Sequence, residues 1–140
     1  MRIVEPKTET ELAAYHNLRY ETLRKPWNQK LELDADEKIA IHAMLVESDM
    51  AIAIGRIHQI DANTWQIKGM GVHPDYRKQN VGGLIMNYLE AQVKEKNAKK
   101  IILHAREIAI SFYLRCGYQI VEKSHLMWGE IQHFLMEKKM

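Results

Sequence analysis

The chain has 140 residues, of which 46% are hydrophobic and 27% charged, with a formal net charge of +2. This balance suits one folded domain over residues 1–140 with a sizeable core and excludes a disordered or fibrous chain. The small charge leaves no footprint for nucleic acid, and no apolar run reaches the ~20 residues that a membrane span needs. The single cysteine, Cys116, allows neither an internal disulfide nor a metal-site spacing, so a cytoplasmic protein without a bound metal is expected.

Arg2 to Glu5 reads as a short strand. Thr8 then caps a helix, with Glu11 three residues on completing a capping box, and the apolar stripe Leu12, Tyr15, Leu18 and Leu23 gives that helix a buried face. Pro26 ends it. Trp27 to Lys38 is polar and reads as a loop with a short helix near Asp34 to Ile39; a loop of this length is often functional. Three strands follow, Ile41–Glu47, Met50–Ile60 and Thr64–Val72, joined by the hairpin turns Ser48-Asp49 and Asp61-Ala62-Asn63 into an antiparallel meander.

The stretch from Val72 to Gly83 carries the strongest chemical signal. An apolar strand ends there and an amphipathic helix, Asn80 to Lys96, begins with apolar residues at Val81, Leu84, Ile85, Tyr88, Leu89 and Val93. A helix N-terminus offers unpaired N–H groups and a partial positive charge, and Gly82 and Gly83 let a pyrophosphate approach them. Ile101-Ile102-Leu103 is a buried strand, so strand, helix and strand form a right-handed β-α-β unit whose ligand lies at the carboxyl end of the first strand. A short helix, Ile108 to Arg115, stops at Gly117, and Tyr118–Lys123 with Gln132–Met136 close the sheet. The fold class is α+β.

Two motifs and this order of elements resemble the GNAT superfamily of acyl-coenzyme A N-acyltransferases over nearly the whole chain. Arg77-Lys78-Gln79-Asn80-Val81-Gly82 is similar to the family's pyrophosphate loop, (Gln/Arg)-x-x-Gly-x-(Gly/Ala), with Asn80 in place of the first glycine. Asparagine tolerates the left-handed backbone that such a position uses. Ala109-Ile110-Ser111-Phe112-Tyr113-Leu114-Arg115-Cys116-Gly117-Tyr118 is similar to the family's Ala-x-x-Phe-Tyr-x-x-x-Gly-Phe. Leu103-His104-Ala105 and Gly129-Glu130-Ile131-Gln132-His133 also resemble small stand-alone members of the ElaA type.

The resemblance implies a mixed, mostly antiparallel central sheet flanked by helices, with acetyl-coenzyme A as cosubstrate and a primary amine of a small molecule or peptide as acceptor. It implies that Met70, Gly71 and Val72 supply backbone donors to the thioester carbonyl and pantetheine, Val72 foremost. Arg77, Lys78, Gln79, Asn80, Val81, Gly82 and Gly83 would hold the pyrophosphate. Tyr113 would both bind coenzyme A and protonate its leaving sulfur; a core tyrosine with its hydroxyl satisfied elsewhere is the other reading. Gly71 also suits a β-bulge. No acid stands on Thr64–Met70, so His73, His104 and His133 are candidate bases, each with a structural reading beside it, and an amine of low pKa or water as proton acceptor would remove the need for one. Cys116 lies at a helix C-terminus, which raises a thiol pKa and favours direct transfer over a covalent intermediate. Trp27 is either a pocket wall or a loop anchor, and Asp34, Asp36 and Glu37 are either an amine-attracting patch or a solvated one. A homodimer through the last strands is a further expectation by analogy, and a non-catalytic acyl-coenzyme A-binding or sensing domain is the alternative function.

Overall fold

A computed structural model describes residues Met1–Met140. One seven-stranded sheet runs in the order β1-β2-β3-β4-β5-β7-β6, with β1 Arg2–Val4, β2 Ile41–Glu47, β3 Met50–Gln59, β4 Thr64–Val72, β5 Lys100–Arg106, β6 Gln119–Met127 and β7 Ile131–Lys139. Every pairing is antiparallel except β4 with β5. Helices α1 (Glu9–Leu23), α2 (Val81–Lys94) and α3 (Ile110–Arg115) flank it. No helix is long and apolar enough to cross a membrane.

Local chemistry accounts for most boundaries. Thr8 Oγ1 accepts the Glu11 N–H at 3.1 Å while Glu11 Oε1 accepts the Thr8 N–H at 3.0 Å, the reciprocal pair of a capping box. Ser48 and Asp49 both take left-handed angles, φ 49° and 67°, the twist a two-residue hairpin needs. Asp61 Oδ1 accepts the N–H groups of Asn63 and Thr64 at 2.9 Å each and closes the next turn. Alternation along β2 sorts the two faces. Ala43 and Leu45 join Ile85, Leu89 and Val93 of α2, whereas Met44 and Val46 join Tyr15 and Leu18 of α1.

The outer elements depart from expectation. The buried stripe of α1 is Tyr15, Leu18, Arg19 and Thr22, with Leu12 exposed, because an arginine and a threonine face the sheet where the apolar count pointed to leucines. The last two strands are longer than Tyr118–Lys123 and Gln132–Met136, because β7 inserts between β5 and β6 and is paired along its whole length. The bulge of β4 lies at Gly69 and not at Gly71: Gly69 has φ +67°, and the register jumps between the Ile54↔Gly71 and Arg56↔Lys68 pairs. Gly71 is small for another reason, since a Cβ there would stand 2.6 Å from Thr22 Oγ1 of α1.

Candidate active site

Strands β4 and β5 pair only from Thr64↔Lys100 to Ile67↔Leu103. Beyond that point β5 continues on β7, down to Arg106↔His133, while β4 turns away with β3 through the Gly69 bulge. The sheet therefore opens between the carboxyl-terminal halves of its two parallel strands. A cavity of about 380 Å³ lies in this region, lined on one side by Gly69 and Met70, on the other by His104 and Arg106, and by Tyr113.

The register settles where the β4 backbone donors point. His73 N–H donates to the Ile52 carbonyl at 2.8 Å, so Ala53 and Val72 form a non-hydrogen-bonded pair. The Val72 N–H is turned away from β3, toward the split. Gly71 sits in the alternate, hydrogen-bonded pair with Ile54, so its N–H is spent within the sheet and does not join Val72 as a free donor. Met70, in the bulge, lines the cavity.

Immediately downstream, Pro74–Tyr76 form one 3₁₀ turn, and Arg77, Lys78, Gln79 and Asn80 are exposed. Lys78 and Asn80 take φ 66° and 57°, so asparagine holds the left-handed conformation expected of it and lysine adopts a second one that nothing in its side chain announces. No side chain caps α2, which leaves the N–H groups of its first turn unpaired. Gly82 and Gly83 are both buried. A Cβ on Gly82 would meet the Phe112 ring at 3.1 Å, so this glycine lets α2 and α3 approach each other as well as opening the loop.

Tyr113 is 8% exposed and packs edge-to-face on Phe112 and on Tyr118. Its hydroxyl forms no hydrogen bond within the chain, yet it is not among the sealed buried polar atoms, so it meets the cavity. Burial pushes its phenol well above the ordinary range, with the nearby Cys116 acting in the same direction and Arg106 against it. The phenol is therefore protonated at neutral pH.

The three candidate histidines divide. His73 accepts the Asp75 N–H at 3.1 Å in the loop turn and lies outside the cavity, whereas His104 and His133 line it. The His133 Nδ1 is 2.9 Å from the Ile131 carbonyl, an acceptor only, so Nδ1 carries the proton and Nε2 keeps a lone pair. His125 stacks on His133 at 4.3 Å and lies 5.3 Å from His104. Burial is the largest effect on His58, His104 and His133 and holds all three below the ordinary histidine value of 6.5. The unfolded chain therefore binds more protons than the folded one as pH falls below about 6.5, and stability drops with pH in that window. The urea midpoint is expected to be lower at pH 5.5 than at pH 7.5, and His133→Gln to flatten that slope; a midpoint unchanged between the two would contradict it.

The loop carboxylates are paired within the chain, Asp36 and Glu37 mostly buried and Asp34 partly open to water. Arg19, 1% exposed, bridges Glu37 through two bonds of 2.9 and 3.1 Å. Arg56, 3% exposed, reaches Asp36 at 3.0 Å and Asp34 at 2.7 Å, and Lys68 contacts both at 2.8 and 3.0 Å. Burial would raise the Asp36 carboxyl, but the bonds from Lys68 and Arg56 outweigh it and hold it below its usual range. Three acids face three bases, and the loop is pinned to the sheet. Sequence reasoning missed both arginines; the available signal was Arg56 standing mid-strand in an otherwise apolar run, Ala51 to Ile57.

The same fold recurs in known proteins. Residues 8–118 match the family model described as Acetyltransferase (GNAT) family. This chain belongs to the GNAT acetyltransferase family. A relative named as an uncharacterised N-acetyltransferase, YjcF of Bacillus subtilis (strain 168), is 27% identical over 140 residues, 99% of each chain. Among solved structures, Escherichia coli ElaA superposes with a TM-score of 0.83 at 20% identity, covering 99% of this chain and 97% of that one. An aminoglycoside 6′-N-acetyltransferase complexed with coenzyme A gives a TM-score of 0.81 at 18% identity, with the same coverage. The GNAT fold, α+β with a mostly antiparallel seven-stranded sheet, is thus established for this chain.

Within that frame Cys116 lies outside the cavity, and burial pushes its thiol up, with Glu90 adding to the effect. Trp27 is in the loop but is not part of the cavity wall; it lies 4.3 Å under the Arg106 guanidinium and 6.5 Å from Trp128.

Proposed function

We propose that this GNAT protein transfers an acetyl group from acetyl-coenzyme A to a primary amine by direct attack in a ternary complex. The observation that carries the reading is the opening between β4 and β5, with the Val72 N–H turned into it and the unbonded Tyr113 hydroxyl meeting the adjoining cavity. The coenzyme A complex of the aminoglycoside acetyltransferase with the same fold supports the choice of cosubstrate. A cytoplasmic setting, which supplies acetyl-coenzyme A and keeps Cys116 reduced, fits this chemistry.

In this reading the pyrophosphate rests on the free N–H groups at the start of α2, with Arg77 and Lys78 adding charge and Gln79 completing the loop. Val72 donates to the thioester carbonyl, with Met70 on the same wall. The amine lone pair forms the new C–N bond, the C–S bond breaks, and the sulfur takes the Tyr113 proton. The amine gives up its own proton to His133 Nε2, to His104 or to water, and the tyrosinate is reprotonated, so no net proton is gained or lost. The raised phenol pKa keeps Tyr113 protonated at neutral pH, so the proton is in place when the thiolate departs, although the same shift makes the phenol a weaker acid.

The test is acetylated-amine formation followed by chromatography, with acetyl-coenzyme A and a panel of primary amines. Turnover of at least one amine above the uncatalysed rate is expected. Binding of acetyl-coenzyme A with no transfer to any amine would favour a sensing domain.

A further inference from the structure

Arg24 and Arg106 stand on the cavity wall outside the ion network described above. Both donate to one carbonyl, that of Leu23, at 3.1 and 3.0 Å, so the two guanidinium groups converge on a single point. Neither makes a salt bridge. Each is held against an indole, Arg24 at 5.3 Å from Trp128 and Arg106 at 4.3 Å from Trp27, and the indoles come from the α1–β2 connection and the β6–β7 turn. Burial is the largest effect and disfavours both cations; the charge of Arg24 adds to it for Arg106, while Asp34 and Glu32 offset part of it for Arg24. Asp34, Asp36 and Glu37 are already bonded by Arg56, Lys68 and Arg19, so Arg24 and Arg106 are the two cationic side chains of the cavity wall without a direct ion pair.

We propose that Arg24 and Arg106 bind a carboxylate on the acceptor, so that the substrate is a primary amine bearing an anionic group, of the amino-acid kind, and not a polycation. Two guanidinium groups on one point, each with N–H donors to spare, form a fork for a carboxylate, which would offset their mutual repulsion. A cationic wall also lowers the pKa of an amine beside it, which raises the neutral, nucleophilic fraction and lightens the demand on a base. The inference rests on the acetyl-transfer reading for its chemistry, but its binding claim stands apart. A carboxylate at the far end of the acyl chain would satisfy the same fork.

The experiment has a transfer arm and a binding arm. With acetyl-coenzyme A, glycine, β-alanine and 4-aminobutyrate are compared with their carboxamides; with succinyl-coenzyme A, the carboxamides alone are tried. At least one free acid is expected to exceed its amide by about tenfold or more in kcat/KM, and Arg106→Gln or Arg24→Gln to erase the difference through KM with kcat largely kept. Amides used as well as acids, or a preference for succinyl-coenzyme A with neutral amines, would overturn the acceptor assignment. In the binding arm, N-acetylglycine but not N-acetylglycinamide should change the fluorescence of Trp27 and Trp128, and either arginine variant should abolish the change. That result with no transfer to any amine would uphold the carboxylate fork and sink the transfer reading. No response to N-acetylglycine in the unaltered protein would sink the fork.

Discussion

Replacing Tyr113 with phenylalanine is expected to lower kcat for acetyl transfer by about 100-fold or more while leaving the Kd of acetyl-coenzyme A within about twofold, the size of effect a general acid contributes. The substitution removes one oxygen and nothing else. Tyr113 makes its packing contacts through the ring, on Phe112 and Tyr118, and its hydroxyl bonds to no other group of the chain, so the fold loses no hydrogen bond. A stability change below about 1 kcal/mol in urea unfolding should accompany the kinetic loss. A variant that turns over within threefold of the unaltered protein would remove Tyr113 from the chemistry and move protonation of the sulfur to solvent.

Arg56→Ala is expected to destabilise the chain by about 3 kcal/mol or more, read from the urea midpoint at constant slope. Arg56 is nearly sealed and holds Asp34 and Asp36 through separate nitrogens; its loss leaves Asp36, itself mostly buried, with Lys68 alone. It also releases the turn Ala35–Lys38 from the sheet. Asp34 is 39% exposed, so water recovers part of its loss, which places the effect at the lower end of the range for broken buried pairs. Lysine should not rescue, because its one nitrogen cannot stand at both the Nε and the Nη2 positions from which Arg56 reaches Asp36 and Asp34. A midpoint shift worth less than about 1 kcal/mol would show that the network is dispensable.

Elements governed by local chemistry were legible from the residues. The Thr8–Glu11 box, the Ser48-Asp49 and Asp61-Ala62-Asn63 turns, the meander, the start of α2 at Asn80 and the stop at Gly117 each depend on neighbours a few positions away. What depended on distant partners was not. Whether Arg19 and Arg56 are buried is decided by Glu37, Asp36 and Asp34, 18 to 22 residues away, and a charged residue on an apolar face gives no sign of its partner. The bulge position differed because Gly69 and Gly71 are equivalent by composition, and only the pairing with β3 and the approach of Thr22 tell them apart. Trp128 and Arg106 escaped notice for the same reason, since they meet Arg24 and Trp27 only after β7 has inserted beside β5. For the candidate site, motif alone singled out the loop and Tyr113, while the opening beside them arises from a register that stops at Ile67 and Leu103.

The proposed function requires that coenzyme A occupy the opening between β4 and β5 with its pyrophosphate at the start of α2. Isothermal titration of the purified protein with acetyl-coenzyme A, set beside the adenosine nucleotide fragment that lacks pantetheine, tests it without requiring the acceptor. Saturable binding of acetyl-coenzyme A, at least about tenfold tighter than that of the fragment, is expected, because the arm would reach Val72 and the cavity. Equal affinity for the two would confine the site to the loop and empty the split of its role, and no binding of either would contradict the account altogether.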